Sequence, residues 1–114
     1  MRDMTEEQHY REIDLPIYRE ELAPHLPERV FDSHVHLVRR SDYLPDVDID
    51  NLESTAPRPM TEDFTEVDLE SAMARLLPDR GWEALVFHFP SPHSDLDKGN
   101  RWIASLGLEN GHLH

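Results

Sequence analysis

The chain has 114 residues, enough for one ordinary domain or for a piece of a larger one, and its 38% hydrophobic and 31% charged side chains include no cysteine. Disulfides, thiolate nucleophiles, zinc knuckles and iron–sulfur ligation are therefore excluded, and any metal must be held by histidine and carboxylate. The formal charge of -13, from 24 acidic against 11 basic side chains, repels phosphate backbones and anionic headgroups and argues against nucleic acid and membrane surfaces as partners. The first ten residues form no apolar or basic leader, and no stretch approaches the roughly 18 apolar residues of a membrane span, so a cytoplasmic location is expected.

Residues 6–22 are charged, with apolar positions at Tyr10, Ile13, Leu15, Ile17, Tyr18 and Leu22. This pattern predicts one or two short helices, broken near Asp14-Leu15-Pro16 because a residue before proline avoids the helical region. Pro24 and Pro27 end helix formation, and the β-branched and aromatic run over 29–38 follows as a buried strand. Residues 42–63, containing Pro45, Pro57 and Pro59, form a long acidic loop, which in a compact unit suggests a lid or a solvated connection.

Thr65 is placed to cap a helix whose first turn carries Glu66 and Asp68. Its apolar residues Leu69, Ala72, Met73, Leu76 and Leu77 fall on one helical stripe, and Pro78 and Gly81 stop it. The continuous apolar stretch over 82–89 predicts a strand buried on both faces, ended by Pro90 to His93. Ser94 or Asp95 caps a final helix with Leu96, Trp102, Ile103 and Leu106 on one side and Gly107 as its C-terminal cap. The order strand, helix, strand, helix defines a βαβα unit with a parallel pair of strands. Trp82, Trp102 and Met73 are core candidates.

The chemistry concentrates in Asp32-Ser33-His34-Val35-His36. Alternation along a strand puts Asp32, His34 and His36 on one face, where two imidazoles can converge on one metal ion and Asp32 orients its neighbours. A His-x-His pair is also common as two polar residues on a solvated face. The position of this one, at the C-terminal end of a strand that opens a βαβ pattern, favours the ligand reading, because barrel enzymes place their sites there.

The segment Val30-Phe31-Asp32-Ser33-His34-Val35-His36-Leu37 resembles the first-strand motif of the amidohydrolase superfamily, most closely its amidohydrolase-related (amidohydrolase 2) branch. The lead-in ending in Leu26-Pro27-Glu28-Arg29, the helix over 66–77 and the strand over 85–89 followed by Asn100-Arg101-Trp102-Ile103 are also similar to that branch. The resemblance implies an α/β fold that is the N-terminal part of a (β/α)8 TIM barrel, with a helical lead-in over 1–29 and about two βα units over 30–114. It implies a divalent metal, usually zinc, with His34 and His36 as metal ligands. It further implies a hydrolase, or a decarboxylase of the same branch, acting on a small-molecule substrate. A complete barrel needs roughly 250 residues, so the chain is expected to be a segment that is inactive alone, its later ligands being absent from it.

The remaining histidines are weaker candidates. His88, near the end of the second strand, either reaches the mouth of the site or is a partly buried structural residue. His93 reads as solvated, and His112 and His114 as a frayed tail. Two other readings stand beside the hydrolase segment. One is a small standalone binding protein that keeps the motif, with homo-oligomerisation hiding the open edges and faces of a two-stranded unit. The other is a fragment of a TatD-like metal-dependent nuclease, which shares the Asp-Ser-His-x-His start but fits the acidic charge poorly. Phosphoesterases of the polymerase-and-histidinol-phosphatase type fit less well, because Leu37-Val38-Arg39-Arg40 follows the pair here.

Overall fold

A computed structural model describes residues 3–52 and 62–114 of the chain, so part of the acidic segment read above as a lid, 53–61, lies outside the described residues. The architecture is mixed α/β. It consists of a helical lead-in followed by strand β1 (Arg29–Leu37), helix, strand β2 (Gly81–His88) and helix.

The lead-in is one continuous helix despite Pro16. It starts at α1 (Glu6–His9), where Thr5 accepts from the Gln8 N–H and the Gln8 side chain returns to the Thr5 N–H. It widens to a π-helical turn over Tyr10–Asp14, passes through α2 (Leu15–Ile17) and widens again over Tyr18–Leu22. The break expected at Asp14-Leu15-Pro16 does not occur: both residues before the proline keep helical angles, and the Leu15 N–H reaches back five residues to the Tyr10 carbonyl. Widening of the turn relieves the clash that a proline ring makes with the carbonyl four residues earlier. The second wide turn likewise precedes Pro24, after which the chain tightens to a 3-10 turn over Ala23–His25.

This helix is fastened to the rest of the molecule through α3 (Glu66–Leu76) and the turn that follows it. The Tyr10 hydroxyl donates to the Arg75 carbonyl at 2.8 Å, the Arg75 guanidinium lies 4.1 Å above the Tyr10 ring, and it also pairs with Glu7 at 3.0 Å. Further along, Tyr18 donates to Asp79, and Arg80 donates to the Ala23 carbonyl.

The start of α3 follows from the sequence: the Asp68 carboxylate accepts from the Thr65 backbone N–H at 2.9 Å, and Leu69 and Met73 are the buried positions of the stripe. β1 and β2 pair in parallel, and α4 (Leu96–Glu109) closes the described chain except for a short tail. Asp95 caps α4 by accepting from the Lys98 N–H at 3.0 Å. Gly107 does not end that helix. It continues to Glu109, and the Asn110 backbone and side-chain amides both donate to the Leu106 carbonyl.

The tail is ordered into the sheet rather than frayed. Leu113 forms a parallel bridge with Ala84, on the edge of β2 away from β1. Ala84 and Val86 donate to the carbonyls of His112 and His114, and the His114 N–H returns to Ala84, all at 2.9 Å. Leu113 is 2% exposed and belongs to the core, which comprises Val35, Leu37, Leu69, Met73, Ala84, Val86, Leu106 and Leu113. Trp82 and Trp102 pack against this cluster.

All of that core lies on one side of the sheet. The expected burial of β2 on both faces is not found: Ala84, Val86 and His88 are buried, whereas Phe87 is 40% exposed. Both helices cover the same face, so the opposite one, bearing Phe31 and Phe87, is open among the described residues. No helix among those residues is long and apolar enough to cross a membrane.

Candidate metal centre

The register of β1 against β2 shifts between Asp32 and Val35. Up to that point Val30 and Asp32 lie level with Trp82 and Ala84; after it Val35 and Leu37 lie level with Val86 and His88. Parallel partners point to the same side, so one extra residue in β1 reverses the alternation. Asp32 therefore belongs to the helix-covered side, and His34 and His36 to the open side with Phe87. The single face expected for Asp32, His34 and His36 is divided by this bulge. Without it, the parity set by Val30 and Asp32 would carry both imidazoles into the apolar core and expel Val35 and Leu37.

Asp32 nevertheless acts on the site through the backbone. Its carboxylate accepts from the His34 N–H at 3.1 Å, spanning the bulge and satisfying a donor that the irregular ladder leaves free. It holds the main chain that carries His34.

On the open face the Nε2 atoms of His34 and His36 stand 3.0 Å apart. The two rings are 4.8 Å apart between centroids and inclined at 65°. Phe87 lies 5.5 Å from the His34 ring, and Phe89 meets the His36 ring edge-on at 5.4 Å. Burial, reinforced by the neighbouring His34, lowers the His36 pKa below the ordinary value of 6.5 against an opposing contribution from the His88 backbone. His36 Nδ1 is buried and makes no hydrogen bond of good geometry. A neutral imidazole with its other nitrogen directed at a second imidazole nitrogen suits a metal ligand. With bonds of about 2.05 Å to one ion, Nε2 atoms 3.0 Å apart subtend an angle of about 95° at it, an acceptable bite for two cis ligands. Among the described residues no group of three or more His, Asp or Glu side chains is placed to hold a metal ion.

His88 is not at the mouth of this site. It points to the helix side, its side chain 3% exposed and its Nε2 3.8 Å from Asp42 Oδ2. Burial lowers its pKa, with Asp42 opposing. It packs so closely under α4 that a Cβ on Gly99 would fall 2.3 Å from its Cγ. Backbone accessibility is the reason for a glycine in the first turns of that helix.

The residue that sequence reasoning passed over is Asp42, read only as the start of the long acidic loop. It is fully buried, takes two hydrogen bonds from Arg39 at 3.0 and 2.8 Å, and lies 4.0 Å from Lys98 Nζ. Arg39 in turn stacks 4.2 Å over Trp102. The Asp42 carbonyl accepts from the Asp95 N–H, and Leu44 donates to the His93 carbonyl. These bonds tie the loop after β1 to the loop after β2, at the strand ends beyond the histidine pair. The spacing Arg39-x-x-Asp42 was the available signal, but a charged pair after a strand ordinarily signifies a solvated turn.

The other histidines serve locally. His93 is exposed. His112 pairs with Glu70 at 3.2 Å and stands edge-on to Trp82, and His114 pairs with Glu83 at 3.1 Å. A groove of about 760 Å³ lies between the lead-in helix and α3, lined by Met4, Tyr10, Ile17, Tyr18 and Leu76, and includes neither His34 nor His36. Compared with known protein families, with characterised proteins and with solved structures, the chain matches none of them.

Proposed function

We propose that the chain carries the first-strand half of a divalent-metal centre in an amidohydrolase-like hydrolase, with His34 and His36 as ligands and zinc as the expected ion. The observation that carries the reading is the 3.0 Å approach of the two Nε2 atoms on the open face of a parallel sheet. Helices confined to the other face, and strands entering the sheet in sequential order, support a segment of a (β/α)8 barrel, whose interior-facing residues bear the ligands. The bound ion would supply a polarised water for attack on a carbonyl. His36 contributes a ring kept neutral by burial, His34 an exposed ring anchored through its backbone to Asp32, and Phe87 and Phe89 an apolar wall that restricts water on one side. The acidic charge of -13 favours a small-molecule substrate over nucleic acid, setting this reading above a TatD-like nuclease. Decarboxylation in the same branch would use the same pair.

Calorimetric titration of zinc into the 114-residue chain and into its His34→Ala, His36→Ala double variant tests the proposal. The variant is expected to bind more than about tenfold more weakly, since it loses both ligands. Equal affinity in two equally folded proteins would refute the assignment.

A further inference from the structure

We infer that the groove between the lead-in helix and α3 is a docking surface for a basic amphipathic helix of a partner protein. The lead-in helix is joined to α3 and the turn after it by polar struts: Tyr10 on the Arg75 carbonyl at 2.8 Å, Glu7 on the Arg75 guanidinium at 3.0 Å, Tyr18 on Asp79, and Arg80 on the Ala23 carbonyl. Between the struts its apolar stripe stays uncovered. Ile17 is 43% and Leu22 51% exposed, and Leu76 on the facing wall is 64% exposed. An amphipathic helix ordinarily buries such a stripe against a neighbour. Among the described residues none of β1 or β2 lines the groove, so it stands apart from the sheet face read above as a barrel interior, and the inference is independent of the metal reading.

Shape and charge name the occupant. The lining residues run from Glu6 to Leu22, about 24 Å along a helix that rises about 1.5 Å per residue. A volume of about 760 Å³ spread over that length makes a channel roughly 6 Å across, against about 10–12 Å for a helix with its side chains. Such a channel admits one apolar face of a helix and leaves the other face in solvent, which is the geometry of helix-in-groove recognition. A compact small molecule would fill only part of its length. The walls are acidic: residues 6–22 carry six carboxylates against two guanidinium groups, and Glu6 and Asp14 line the groove itself. Arg75, the guanidinium on the facing wall, is taken up by Glu7 and the Tyr10 ring. Lysine or arginine flanking an apolar stripe complements this rim. A second copy of the chain, at -13, and an anionic lipid surface both bring the sign that the rim already has.

Fluorescence anisotropy tests the inference, with the 114-residue chain titrated into a labelled peptide of about 16 leucine and lysine residues that places leucine at i, i+3, i+4 and i+7. Saturable binding is expected. It should weaken at least about tenfold for a peptide of the same composition whose leucines are scrambled off the stripe, and be lost when glutamate replaces lysine. Leu76→Glu alters an exposed position, and its fold is checked by circular dichroism. The variant adds a negative charge, so simple attraction between a cationic peptide and an acidic chain would strengthen, whereas docking in the groove should weaken at least about tenfold. A striped peptide that does not bind, a scrambled or glutamate peptide that binds as well, or a folded Leu76→Glu chain that binds at least as tightly as the native one would each overturn the inference. The zinc titration of the histidine pair is unaffected by any of these outcomes.

Discussion

Replacing Gly99 and His88 by alanine, singly and together, measures how closely α4 packs on β2. A Cβ at position 99 would sit 2.3 Å from His88 Cγ, 2.4 Å from Nδ1 and 2.5 Å from Cδ2, so the whole face of the ring obstructs it. The ring cannot swing into solvent cheaply: its side chain is 3% exposed, and the buried Asp42 carboxylate lies 3.8 Å from its far nitrogen. Overpacking of this kind costs about 1–3 kcal/mol, and the tightness here places it toward the upper end. Alanine regains up to about 1 kcal/mol of helix propensity over glycine, less in a first turn. Gly99→Ala is therefore expected to destabilise the fold by about 1–2 kcal/mol, read as a lower urea midpoint at unchanged slope. With His88→Ala already in place the obstruction is gone and only propensity remains, so adding Gly99→Ala should stabilise. The sign reversal is the test. A Gly99→Ala change that destabilises equally in both backgrounds, or stabilises in the native one, would refute this account of the packing.

Asp42→Ala removes the acceptor of two Arg39 hydrogen bonds at a fully buried position and leaves Arg39 beside Lys98 and His88. A loss of about 3–5 kcal/mol is expected by denaturant unfolding, and a loss under about 1 kcal/mol would show that the pair is not structurally important. His36 and His88 are both held below 6.5 by burial, so the folded state prefers them neutral. Their contribution is present above the unfolded value near 6.5 and is lost as pH falls through the lower folded values, so stability should drop on acidification over that window. From pH 7 to 5 the unfolding midpoints of His36→Gln and His88→Gln are each expected to fall less than that of the native chain, because one of the two titrating rings is gone. An unchanged pH dependence in both would contradict it.

The elements themselves were largely written in local sequence. Thr65 with Asp68, Asp95 before α4, and the stripe through Leu69 and Met73 depend on neighbours within one or two helical turns, so they could be read directly. The spacing of His34 and His36 likewise identified the candidate ligands, because a separation of two residues returns to the same side of a strand on either parity. What Pro16 does was less legible, since a wide turn takes the place of the expected break and no residue type in the segment distinguishes the two.

Three features came from the tertiary structure alone. The bulge between Asp32 and Val35 exists only in the pairing of β1 with β2, and because side chains alternate with a period of two, a single unpaired residue decided which face the histidines occupy. His88 and Asp42 became a buried neighbouring pair through the approach of α4, and the tail through Leu113 became part of the sheet through an edge that no local signal announces. Sequence determined the chemistry available at positions 34 and 36; long-range hydrogen bonding and one-sided helix packing decided that this chemistry faces outward.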